Sequence, residues 1–121
     1  MPDILIRVLH VASVEVHPFE ATRLWKFRRC PYPRGLYTIL LKTTGAAANV
    51  EHEIKIGTTE VVQRSDTGVG GTDGVMPTPA GANSAPAHQF YAEFNDEIDL
   101  ALFETAGATP VTMIWANVEP A

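Results

Sequence analysis

Apolar and polar residues alternate with a period of two along most of this chain, the spacing that turns one face of a β-strand inward and the other outward. Ile4, Ile6 and Val8 alternate with Leu5, Arg7 and Leu9, and Val14 and Val16 continue the pattern after a break at Ala12 and Ser13. From 24 to 29 large apolar and basic residues take turns, with Trp25 and Phe27 on one face and Lys26 and Arg28 on the other. The segment CPYPRG at 30–35 interrupts this strand, because two prolines and a glycine cannot continue a ladder. Residues 36–42 form a mostly apolar strand, and in the next one Val50, His52, Ile54 and Ile56 face opposite to Glu51, Glu53 and Lys55. Gly57 closes that strand and 60–64 predicts another short one. Phe90, Ala92 and Phe94, then Ile98, Leu100 and Leu102, then Val111, Met113 and Trp115 mark the last three. No long segment carries a helical period with caps. About eight short strands at turn-marked spacings predict an all-β fold, a single antiparallel β-sandwich of jelly-roll type occupying 1–121.

Two stretches repeat one design in different residues. Residues 38–57 read TILLKTTGAAANVEHEIKIG and 99–118 read DLALFETAGATPVTMIWANV. Each is an apolar run, a Thr-containing Gly/Ala turn and a second alternating run, which predicts two β-hairpins with short, uncharged tips at Gly45 and Gly107. The flanks do not repeat, so the likeness reads as two similar hairpins within one sandwich.

Residues 65–88, SDTGVGGTDGVMPTPAGANSAPAH, hold five glycines and three prolines. A connection this long is uncommon in a compact domain and is usually functional or disordered. It reads as an irregular loop, or as an arm that lies along a neighbouring subunit and orders on binding, with Asp66, Asp73, Met76, Pro77 and Pro79 as contact candidates.

Charge narrows the function. The net charge of −5 argues against nucleic-acid binding, because phosphate contacts want a basic field. Yet five of the nine basic residues, Arg23, Lys26, Arg28, Arg29 and Arg34, cluster together. Together with Trp25 they form a candidate patch for an acidic protein partner, against the plainer reading of a solvated face. Cys30 is alone, which excludes an intramolecular disulfide and fits synthesis in a reducing compartment. The N-terminus lacks a signal-peptide pattern, and no apolar stretch approaches the roughly 20 residues that span a bilayer, so no membrane partner is expected.

Candidate chemistry is sparse, and no catalytic residue, cofactor or metal site is expected. Asp66-Thr67-Gly68 matches the DTG loop of aspartic proteases, but polar Gln63, Arg64 and Ser65 precede it where an apolar strand would bury the carboxylate. The four histidines have no metal-ligand spacing, and His52 reads as a core histidine satisfied by a neighbour. Glu51 and Glu53 share a face with Lys55, as on a solvated strand, and Asp96, Glu97 and Asp99 lack the spacing of a calcium loop. Trp25, Trp115, Phe27, Tyr32, Tyr37 and Tyr91 fill a sandwich core more readily than they build a sugar-stacking platform.

The runs Leu40-Leu41-Lys42-Thr43-Thr44-Gly45-Ala46-Ala47 and Leu102-Phe103-Glu104-Thr105-Ala106-Gly107-Ala108, with the light surface charge and the long irregular arm, resemble small all-β head decoration (cement) proteins of tailed bacteriophages. The resemblance is one of texture over 35–118. It implies a structural virion protein, made in the host cytoplasm, that binds the major capsid protein on the outside of the head. It also implies a homodimer or homotrimer. The competing class is a carbohydrate-binding β-sandwich using Trp25, Tyr32, Tyr37 or Tyr91.

Overall fold

A computed structural model describes residues 4–20, 25–81 and 83–121, and at 25 and 26 the main chain only. The described residues form nine strands: β1 (Ile4–Leu9), β2 (Glu15–Val16), β3 (Arg34–Thr44), β4 (Val50–Ile56), β5 (Thr59–Asp66), β6 (Gly68–Gly71), β7 (His88–Glu93), β8 (Ile98–Glu104) and β9 (Val111–Pro120). They build two sheets. One has the order β1-β9-β3, with β6 and β7 both on the far side of β3; the other runs β2-β8-β4-β5. The all-β sandwich expected from the alternation is what the chain forms. One ladder departs from the antiparallel rule, because β3 and β6 run parallel where Lys42 meets Gly68.

The core lies between the sheets. Tyr37, Ile39 and Leu41 of β3, Ile114, Ala116 and Val118 of β9, and Phe90 and Ala92 of β7 meet Val50 and Ile54 of β4 and Ile98, Leu100 and Leu102 of β8. Tyr37 stacks flat on Phe90, ring centres 5.2 Å apart. Phe19, on a turn of 3-10 helix at Pro18–Glu20, meets Phe27 with centres 6.0 Å apart, and both join the core.

Phe27 corrects one expectation. The chain from Trp25 to Arg28 is a single helical turn, α1, and not a strand. Four residues are too few to show a period, and the apolar–basic alternation there imitates a strand by chance.

The two predicted hairpins are also corrected. β3 and β4 lie in different sheets, as do β8 and β9. Each repeat is therefore an arch that crosses from one sheet to the other, and the arches pack side by side. β3 pairs with β9, placing Thr43 opposite Thr112, and β4 pairs with β8, placing Val50 opposite Glu104. Aligning the repeats carries Thr43 onto Glu104 and Thr112 onto Glu51, one residue from the partner Glu104 has. The likeness of the two sequences thus has a structural counterpart: two similar arches in nearly matched register. Cross-links hold them together. Thr105 N donates to Asn49 O (2.8 Å) and Val111 N to the hydroxyl of Thr44 (3.0 Å).

The stretch 65–88 is less irregular than its composition suggests. It contains the end of β5, all of β6 and the first residue of β7. The described residues of the remainder, 72–81 and 83–87, lie over the outer face of the first sheet. Leu40 and Met113 point outward by the alternation that turns Tyr37, Ile39 and Ile114 inward, yet they are 0% and 2% exposed. Two bonds fix the covering segment: Arg7 on β1 grips Asp73, and the Lys42 ammonium on β3 donates to Ser84 O (2.8 Å). Arg7, Met113 and Lys42 form one row across β1, β9 and β3. The outer cations hold the segment, and the methionine between them is buried.

Candidate functional site

The two ends of β3 present unlike surfaces. Its eleven residues separate them by roughly 33 Å at the usual strand rise.

At the Arg34 end, the chain at 28–34 pairs with that at 93–97. Arg29 bridges Glu97, Cys30 N donates to Asp96 O, Asn95 N to Cys30 O and Phe94 N to Pro33 O. This brings together Arg28, Arg29 and Arg34 of the candidate patch, but in engaged form. Arg28 and Arg29 both reach the Glu97 carboxylate, at 3.7 and 3.2 Å. The Arg34 guanidinium sits 4.2 Å over the Tyr91 ring. An open cleft of about 330 Å³ lies here, lined by Arg34, Tyr91, Ala92, Glu93 and Asp96. Phe94 is exposed beside it, at 67%. Arg23 lies outside the described residues, and α1 carries the main chain of Trp25 and Lys26. Of the proposed sugar platforms, Tyr37 is buried and Tyr91 is exposed with one face under Arg34.

At the other end the surface is uncharged. Residues 9–14, 44–49, 68–71 and 105–110 converge there and contain no Asp, Glu, Lys or Arg. His10 N donates to Pro110 O (3.0 Å), Gly70 N to Gly45 O (2.7 Å) and Thr105 N to Asn49 O (2.8 Å), which together tie the four segments into one surface. Leu9 and Val11 stand out from it at 59% and 61% exposure, and Val14 is exposed as well. The acid beneath is internal: Glu104, 5% exposed, accepts from Ser13 N, Ala106 N and Gly107 N at 2.8 to 2.9 Å. The bond from Ser13 N leads in holding its carboxyl below the usual range, against the opposing effect of burial. Gly107 takes a positive φ of 70° to close this turn, a conformation that favours glycine.

The interior near this end is polar. Thr112 bonds both His10 Nε2 (2.7 Å) and the Thr43 hydroxyl (3.1 Å). His52 Nδ1 bonds the Thr67 hydroxyl (3.0 Å), so His52 is the core histidine expected, but satisfied at one nitrogen only.

Other candidates disperse. Asp66 ends the edge strand β5 and is exposed, while Thr67 is buried against His52. Of the arm candidates, Asp73 holds Arg7, Met76 is half-buried with its carbonyl accepting from Asn83 Nδ2 (2.7 Å), Pro77 is buried, and Pro79 is exposed. Asp96, Glu97 and Asp99 serve different partners: Glu93 N, the two arginines, and His17. Sequence spacing missed one grouping. His17, Glu20 and Asp99 converge within 4.8 Å of one another. Both His17 nitrogens are taken, by Asp99 at 2.8 Å and Glu15 at 2.6 Å. Partial burial opposes the imidazolium, but these two carboxylate bonds prevail and raise its pKa. The grouping is an ion-pair cluster in which both histidine nitrogens are already engaged.

No family model matches the chain, and neither a curated protein nor a solved structure matches it. Among the described residues, no helix is long and apolar enough to cross a membrane.

Proposed function

We propose that this protein is a structural virion protein, a capsid decoration or cement protein that binds the outside of a phage head and stabilises capsomer junctions. The observation that carries the reading is the pairing of two unlike exposed surfaces at opposite ends of one rigid strand. The uncharged arch end, with Leu9, Val11 and Val14 above small Ala and Gly tips, suits a dry contact with another protein. The Arg34–Tyr91 end, with exposed Phe94, suits a polar contact with aromatic anchors. A small body that grips two neighbours at once gains affinity from simultaneous engagement, even when each contact is modest. The major capsid protein is the partner, and self-association as a dimer or trimer would add further contacts. The outer edge of β1, which pairs only with β9 among the described residues, offers main-chain groups for such a contact.

One observation favours a second reading. The cleft at Arg34, Tyr91, Glu93 and Asp96 has the exposed aromatic and polar rim of a carbohydrate-binding module. Sedimentation separates the two. Purified protein is pelleted with expanded phage shells and, in parallel, with insoluble polysaccharide. Pelleting with shells, lost in a Val11→Asp/Ala47→Glu double variant, is the expected result. Pelleting with polysaccharide alone, lost in Tyr91→Ala, would replace the cement reading.

A further inference from the structure

Between the sheets, one histidine from each sheet meets the other. His52 lies on β4 in the inward row with Val50 and Ile54, and His88 opens β7 opposite Ile39, on the inward side with Phe90 and Ala92. Their ring centres are 4.6 Å apart and the planes are tilted by 48°. His52 is 3% exposed. Its Nδ1 is held by the Thr67 hydroxyl, and its Nε2 is buried with no hydrogen-bond partner. A buried polar atom left unpaired costs free energy and calls for an explanation.

We propose that His52 and His88 form a two-histidine site for a divalent transition-metal cation of the zinc class. The site does not depend on the capsid reading. A metal-ligating imidazole is normally oriented by a hydrogen bond at its other nitrogen, which is the role Thr67 plays for His52. Burial first and His88 second push the His52 pKa down to about 4, and burial lowers that of His88. Both rings are therefore neutral near pH 7 and have lone pairs to give. Zinc–nitrogen bonds of about 2.0 Å place two tetrahedral ligands roughly 3.3 Å apart, a separation within reach of rings this close when the half-buried His88 turns. Water reaching the half-buried His88 completes the coordination and marks the side of entry.

Tag-free protein treated with chelator is titrated with zinc chloride by calorimetry, with thermal melts alongside. One zinc per chain and a melting temperature higher by roughly 10 °C at a hundredfold excess over the dissociation constant are expected. Both effects vanish in His88→Ala, a half-buried position at a strand start whose loss leaves a folded protein, and both persist in His17→Ala. No saturable binding overturns the proposal. So does binding that survives His88→Ala, and so does binding lost in His17→Ala, which would put the ion in the exposed carboxylate cluster.

Discussion

Arg7 and Asp73 are joined by two parallel hydrogen bonds, Nε to Oδ1 at 2.7 Å and Nη2 to Oδ2 at 2.8 Å, across the outer face of a sheet. The fork-to-carboxylate geometry fixes direction as well as distance. It pins the segment 72–87 above Met113, whose register partners are Arg7 and Lys42. Asp73→Ala should therefore leave the fold intact and loosen the cover. Limited proteolysis should cut 72–87 faster in the variant, and peroxide should oxidise Met113 faster. Equal rates in both proteins would mean that the buried contacts of Pro77 and Ala85 hold the cover unaided.

Leu40 should behave as a core residue although it points away from the main core. It is fully buried under the same cover. Leu40→Ala should cost about 2–5 kcal/mol in urea unfolding, the range for a buried leucine. Leu5, one strand pair away in the same outward row but 57% exposed, should cost under about 1 kcal/mol on the same change.

The sheets were legible in the sequence because strand alternation reports burial directly: Tyr37, Ile39 and Leu41 are spaced by two and all face the core. The arches were not. A hairpin and an arch share the same local pattern of run, turn and run. The difference lies in the partner of Thr43, which is Thr112 from the other repeat and not a residue of β4. The cover had a signal that alternation alone overlooks. Leu40 beside Leu41, and Met113 beside Ile114, make both faces of β3 and β9 apolar, as expected for strands buried on both sides. The two ends of the candidate site divide in the same way. The uncharged tips were visible as composition, whereas the sharing of Glu97 by Arg28 and Arg29 depends on a long-range pairing no spacing rule contains.

Gly35 is fixed by packing and not by its backbone angles. A Cβ there would stand 2.9 Å from Cys30 Sγ and 3.2 Å from Val118 Cγ2. Cys30 is itself buried, and its thiol is aimed at the carbonyls of Tyr32 and Ala92. Gly35→Ala should destabilise the fold by about 1–3 kcal/mol through overpacking. A Gly35→Ala/Cys30→Ala double variant should recover part of that loss, because it removes the closest clashing atom. Denaturant midpoints of the three proteins test this, and a double variant no more stable than the single would place the strain at Val118.

Acid should weaken the protein well before its carboxylates titrate. His52 binds a proton only near pH 4 when folded, chiefly because it is buried, but near 6.5 when unfolded. The unfolded chain thus takes up the proton first as pH falls. The stability associated with neutral His52 is fully present above 6.5 and is lost between 6.5 and about 4, by up to roughly 3 kcal/mol. His10, also lowered by burial, adds to the same slope. His17 acts in the opposite sense. Its raised pKa gives stability that is complete below 6.5 and fades as pH rises through its folded value. Urea unfolding across pH 4 to 9 should show a steep acid limb that flattens in His52→Gln, while His17→Ala should cost more at pH 6 than at pH 9. A His52→Gln protein with the same acid slope as the parent would assign that limb to the carboxylates, with Glu104 the foremost candidate because its lowered pKa loses stability as pH falls further.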